Sequence, residues 1–276
     1  MQIPSSLYAG VVAIGFAVAA LPAAAATAAP VSDPQSPPSV VRDGGAVSDA
    51  VPPGGLITSF LRNQVTYCSI ICPLAAQTAT SAATTIQQAP GTLSAAWQVD
   101  DPVKALGITA ASITGPTTSA AQRAIVADGT IVAPRALNAF EVGVVGLLDV
   151  GPAAAAGGLP AIVTAVQTAR QDTYTALNVP IVPNPEPTVA PHDAVQAAVV
   201  GVIDAGAAVI FPAFNTVVSA AFQAPDAAAQ ELAATGDPDQ ALAAGMDTVA
   251  AAQTAADTII TDAVTRAVDE IRVATQ

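Results

Sequence analysis

The chain has 276 residues, of which 52% are hydrophobic, 11% charged and 4% aromatic, with a formal net charge of −13. So apolar a composition excludes a disordered acidic tail, and 8 basic residues against 21 acidic ones exclude a surface that neutralises nucleic-acid phosphates. One histidine and two cysteines exclude most zinc sites, haem attachment and disulfide-rich scaffolds.

The first element is an apolar run from Leu7 to Leu21, broken by Pro22 and followed by small residues up to Ala29. Ala26-Thr27-Ala28 fits the small-x-small pattern ahead of a cleavage site. Residues 1–28 therefore read as a secretory signal peptide, although no Lys or Arg precedes the run. The run is short for a membrane span, and an uncleaved anchor is the other reading. Residues 29–55 form a Pro/Gly/Ser linker, with Pro30, Pro34, Pro37, Pro38, Pro52 and Pro53 set among Ser, Asp and paired glycines. Such a stretch cannot bury enough apolar surface to order itself; as a coil it spans about 30 Å.

Residues 56–276 read as one helical domain. About a quarter of the chain is alanine, a strong helix former, and alternating strand patterns are nearly absent. Asp101-Pro102 and Asp237-Pro238 each place a capping acid before a proline at the first helical position. Gln240 follows three residues after Asp237, as a capping box requires. Pro134 and Pro191 are also expected to open helices. The segment from Pro238 to Val273 predicts the longest helix. Its apolar face carries Leu242, Met246, Val249, Ala256, Ile260, Ala263, Ala267 and Ile271, and Asp262 and Arg266 make an i,i+4 pair.

The chain repeats itself. Val144–Gly151 matches Val199–Gly206, Leu159-Pro160-Ala161 matches Phe211-Pro212-Ala213, and each copy begins with Val-Ala-Pro, at Val132 and Val189. The two units, 132–178 and 189–235, flank an extended proline-rich connector from Pro180 to Pro191. Each reads as a helix, a small-residue turn and a proline-started helix. A fainter third copy runs from Ile70-Ile71-Cys72-Pro73. The expected fold is all-α, a helical bundle built from tandem Pro-punctuated helical hairpins with a long C-terminal helix. Alanine and glycine predict close helix contacts, with Phe60, Trp97, Phe140, Phe211, Phe214 and Phe222 as anchors.

Mean hydropathy is +0.54, high for a soluble protein. Residues 195–222 are long enough to span a membrane and carry only Asp204, but Pro212 interrupts them and no positively charged flanks orient them. Burial inside a helical protein and insertion into lipid both remain open for this stretch.

Candidate chemistry is sparse. Asp149 and Asp204 hold equivalent repeat positions inside apolar segments; brought together, two such acids raise one another's pKa and form a cation site or pH switch. Held apart, each simply bonds the turn that follows it. Cys68 and Cys72 share a helical face and, after export, are candidates for a disulfide. His192, the lone histidine, has no Gly-x-Ser-x-Gly partner, and no glycine-rich phosphate loop precedes a helix. No catalytic, cofactor-binding or metal-ligating residue is expected, and no cofactor.

The signal peptide, the spacer, the Ala/Val/Thr-rich helices and a single lysine, Lys104, resemble exported proteins of high-GC actinobacteria. The stretch Asn63–Pro73 is similar to segments of mycobacterial exported Ala/Val-rich proteins of unknown function. The resemblance implies a secreted or cell-envelope location and no activity. The expectation is a non-catalytic interaction protein whose partner is a protein or envelope component. The alternative is a membrane-associated or pore-forming protein that uses the Ala/Gly-rich hairpins.

Overall fold

The structure, a computed structural model, describes residues 51–275. The signal segment and the linker up to residue 50 lie outside the described residues. The last residues of the expected linker are packed on the helices: Val51 is buried, and the carbonyls of Val51 and Pro52 accept hydrogen bonds from Arg170 at 2.9 and 3.0 Å.

All secondary structure among the described residues is helical. The helices are α1 (Gly55–Ala96), α2 (Pro102–Ala127), α3 (Ala133–Leu148), α4 (Val150–Asn178), α5 (Ala194–Ala208), α6 (Phe214–Thr235) and α7 (Pro238–Ala274). Short π-helical segments, Asp128–Val132 and Val209–Ala213, join α2 to α3 and α5 to α6 without a break. These joints form two long rods. Their starts carry the expected chemistry: Asp101 accepts from the N–H groups of Val103 and Lys104, and Asp237 from those of Asp239 and Gln240. Gln240 Nε2 also donates to Asp237 Oδ2 at 2.8 Å, and these bonds hold the Asp237 carboxyl below its usual range. Asp193 caps α5 in the same way. Pro134 stands in the first turn of α3, as expected. It follows the first π segment inside a continuous rod, and the π turn absorbs the i−4 bond that a proline cannot make. Helix α1 likewise runs unbroken through Pro73 and Pro90.

The rods lie antiparallel and in contact along α2 and α6. Thr114 Oγ1 donates to Asp226 at 2.7 Å, Thr118 Oγ1 donates to the Phe222 carbonyl at 2.8 Å, and Asn215 bonds Asp128 at 3.1 Å, where the two π segments come level. Helix α1 packs on the outer side of α2, and α7 packs along the whole second rod. The four long pieces are therefore ordered α1, α2, α6, α7. Together with α3, α4 and α5 they make the all-α helical bundle that the sequence predicts.

The repeat is real in register but not in shape. In the first unit the chain reverses at Gly158, whose φ of 64° and ψ of −151° only glycine adopts without strain. The rest of α4 returns along α3, with Gly146 against Ala169 and Gly143 beside Thr173. In the second unit Val209-Ile210 stand where Gly157-Gly158 stand in the first. Two β-branched residues cannot take that turn, so the chain continues through the π segment into α6, and no second hairpin forms. The partner that α4 supplies to α3 is supplied to α5 by α7, with Gly201 against Ala267.

Alanine and glycine line the contacts between helices. Ala105, Ala120, Ala121, Ala220, Ala229, Ala241, Ala256 and Ala263 are buried. A side chain at Gly107 would put its Cβ 2.2 Å from the Ala233 nitrogen. The large side chains point out. Phe60, Trp97, Phe140 and Phe214 are exposed, contrary to their expected role as anchors. On α7 Ala256 and Ala263 of the expected face are buried, but in the first turns the buried positions are Ala241 and Gly245, which leaves Leu242 and Met246 each 63% exposed. The reason is geometric: a layer of closely approaching backbones has room only for methyl groups between helices.

Candidate functional site

The functional candidates gather where α3, α5 and α7 meet, past the two π segments. Helices α3 and α5 run antiparallel here. Asp149, at the end of α3, accepts a short hydrogen bond from Gln196 Nε2 near the start of α5. Two turns further along the pair, Glu141 of α3 lies in hydrogen-bond contact with Asp204 of α5. Asp149 and Asp204 are thus two turns apart along the helix axes, about 12 Å, and are not brought together. The repeat pairs each with a residue of the other copy.

Glu141 and Gln196 also occupy equivalent positions of the repeat, because the match extends upstream from Val144 and Val199 through Glu141 and Gln196 to Asn138 and Asp193. The two pairs, Gln196–Asp149 and Glu141–Asp204, are therefore related by the pseudo-twofold between copies. Extending the repeat by one turn would have found them; the weaker identity upstream hid the signal.

Their chemistry differs. Gln196 is 1% exposed and its amide is fully used: Nε2 donates to Asp149 while Oε1 accepts from the His192 backbone N–H at 2.7 Å. Glu141 is 3% exposed, and its Oε1 receives no N–H or hydroxyl donor. Two carboxyls in contact need a proton between them. Burial first, then the hydrogen bond and charge of Asp204, then the charge of Glu270 on α7, raise the Glu141 pKa from 4.5 to about 8.

A cleft of about 740 Å³ opens above this pair. Its floor is Glu141, Asp204 and Glu270, and its walls are Leu137, Val200, Val273 and the connector prolines Pro185, Pro187 and Pro191. The connector is held in place by side chains of the first rod. Asn138 Oδ1 accepts from the Thr188 N–H at 2.6 Å and Asn138 Nδ2 donates to the Thr188 hydroxyl at 3.0 Å, while the Thr130 carbonyl freed by the π segment accepts from the Asn184 N–H at 2.7 Å. Arg266 does not pair with Asp262; it lines the other side of the same three-helix junction, beside Asp204 and Glu270. His192 is exposed at the rim. No group of three His, Cys, Asp or Glu among the described residues is arranged to hold a metal ion.

A second cleft, about 550 Å³ and almost wholly apolar, lies between α1, α3 and α4, lined by Phe60, Phe140, Leu147, Val166 and Leu177 among others. Near it is Arg135, which no motif in the sequence marks. It is 2% exposed, donates to the Tyr67 hydroxyl at 2.9 Å and to the carbonyls of Leu177 and Val179 at 3.0 and 2.6 Å, and stacks on the Tyr67 ring at 5.9 Å. A buried guanidinium with no carboxylate partner is held by the carbonyl end of α4, where the helix dipole is negative. This clasp ties α1, α3 and α4 together.

Cys68 and Cys72 form a disulfide on the exposed face of α1, with a Cα–Cα distance of 5.1 Å. They lie on a helix surface remote in sequence and element from the acidic junction, so the bridge reads as structural. Comparison with protein-family models, with curated proteins and with solved structures gives no match.

Proposed function

We propose that the chain is an exported, non-catalytic interaction protein of the cell envelope or the secreted fraction, which presents its helical layer to a protein partner. The observation that carries this reading is the inversion of the usual packing: alanines are buried while Phe60, Leu61, Phe140, Leu242 and Met246 are exposed. Phe60 and Phe140 line one apolar cleft and Leu242 and Met246 another, and exposed apolar patches mark surfaces that something else covers. Among the described residues the lone histidine, His192, contributes its backbone N–H to Gln196 and lines the acidic cleft.

Three stretches, Pro102–Leu148, Val150–Asn178 and Ala194–Thr235, are long and apolar enough to cross a membrane. A protein partner is favoured over lipid because Gly158 breaks the second of these, leaving a helix that carries Arg170 and Asp172. The third contains Pro212 and the acid Asp204, which is committed to Glu141.

The deciding experiment joins two readouts on the oxidised chain purified without detergent. It is expected to stay at the bottom of a liposome flotation gradient. A photo-crosslinking residue at Leu61 or Met246 is expected to capture one discrete protein in the producing cell, and the same residue at Thr265 to capture none. Flotation that resists a salt wash overturns the reading in favour of membrane insertion; equal, diffuse capture at all three positions overturns it as well.

A further inference from the structure

We propose that the cleft floored by Glu141, Asp204 and Glu270 is a binding site for an organic cation, a guanidinium or primary ammonium group on a short apolar body. The acids converge from three helices, α3, α5 and α7, in the same cleft. Glu141 lines that cleft although it is only 3% exposed, and its buried Oε1 has no N–H or hydroxyl donor. A buried acceptor without a donor is costly, and the acid against Glu141, Asp204, is another acceptor when ionised. Something that brings hydrogen must complete the site. A proton serves when the cleft is empty. A cation with two or more N–H donors serves better, because it satisfies Glu141 Oε1, Asp204 and Glu270 at once and neutralises them.

A metal ion is the poorer fit, since the carboxylates are not arranged as a ligand set. The walls also suit an organic ligand: Leu137, Val200, Val273 and the prolines of the connector offer apolar contact to a short carbon chain. At the equivalent position of the other copy, Gln196 already supplies from within the chain the amide N–H that Glu141 lacks. The repeat thus carries one filled copy of the arrangement and one open copy.

Binding is linked to protons. The cation displaces the proton that Glu141 and Asp204 share, so affinity rises with pH until that proton is gone. The other charged groups facing the cleft and junction are Arg266 and Glu270 on α7, Asp269 on α7, which is paired with Arg272 at 2.8 Å, and His192 and Asp193 ahead of α5. Arg266 is the internal competitor: it stands one turn before Glu270 on α7 and lines the adjoining pocket with Asp204 and Glu270.

The test is isothermal titration of the purified, oxidised chain with agmatine, which carries both a guanidinium and an ammonium group, at pH 6, 7 and 8.5. Binding of one agmatine per chain is expected at pH 8.5, weakening about tenfold for each pH unit below 8 as one proton is taken up. Glu141→Gln is expected to abolish that pH dependence, and Asp204→Asn to weaken binding at least tenfold. Asp149→Asn, the same change at the equivalent position of the repeat, is expected to leave binding unaltered. Circular dichroism establishes that each variant remains helical. No heat at pH 8.5 up to millimolar agmatine overturns the proposal. So do equal effects of Asp204→Asn and Asp149→Asn, and so does tighter binding of Ca²⁺ than of agmatine, which would make this a metal site.

Discussion

Replacing Glu141 by Gln turns the open pair into a copy of the filled one, and its effect on stability follows from the protonation of the site. In the folded chain the Glu141 carboxyl holds its proton up to about pH 8, whereas an ordinary glutamate releases it near 4.5. A raised acid pKa makes the folded state bind more protons than the unfolded state across that window. Stability is therefore highest below pH 4.5 as far as this group is concerned, falls as the pH rises toward 8, and levels off beyond. A tenfold difference in proton affinity between the folded and unfolded chains is worth about 1.4 kcal/mol, which sets a ceiling of about 5 kcal/mol; water entering the cleft as the acid ionises reduces the loss to about 2–3 kcal/mol. A glutamine in place of Glu141 has no proton to lose and is expected to donate its amide to Asp204 as Gln196 donates to Asp149. The assay is urea unfolding followed by circular dichroism at 222 nm for both chains at pH 5.5, 7 and 8.5. The native chain should lose stability over this range and Glu141→Gln should not. Parallel pH profiles for the two chains would refute the account of a proton shared between Glu141 and Asp204.

Further predictions concern the fold. Gly158→Val forces a β-branched residue into a left-handed turn, and should cost about 1–3 kcal/mol, read as a lowered urea midpoint. Gly107→Ala drives a methyl group into the backbone of α6 and should destabilise by about 1–3 kcal/mol. Gly91→Ala, with nothing within 4 Å, should stabilise by up to about 1 kcal/mol, and equal effects of the two changes would count against the close α2–α6 approach. Thiol titration of the non-reduced, unfolded chain should find no free thiol, and the Cys68→Ser, Cys72→Ser double variant should lose about 2 kcal/mol on the chain-entropy account of a five-residue loop. Arg135→Met should free the end of α4 from α1 and speed amide exchange in residues 174–179 more than in α7.

Much of this molecule was legible as a string. Helix type followed from alanine content, and helix starts from Asp101-Pro102 and Asp237-Pro238, because a cap is a contact between neighbours in sequence. The disulfide was legible for the same reason: Cys68 and Cys72 lie one turn apart on a single helix. The repeat pointed to Asp149 and Asp204, and both are engaged at the junction, each with a residue of the other copy. Asp204 meets Glu141 rather than Asp149 because helices that pack antiparallel bring equivalent positions to opposite ends of their contact.

By itself the sequence determined what is local: helices, caps, the turn residues Gly157-Gly158 and the bridge on α1. The tertiary structure decided which long-range neighbours each residue meets. It joined α2 to α3 and α5 to α6 through π turns that carry the chain past Pro134 and Pro212 without a break. It also turned the large side chains outward, because backbones that approach across glycine and alanine leave no volume between them. And it buried Glu141 against Asp204, since only the packing of α3 on α5 decides which acid loses its water.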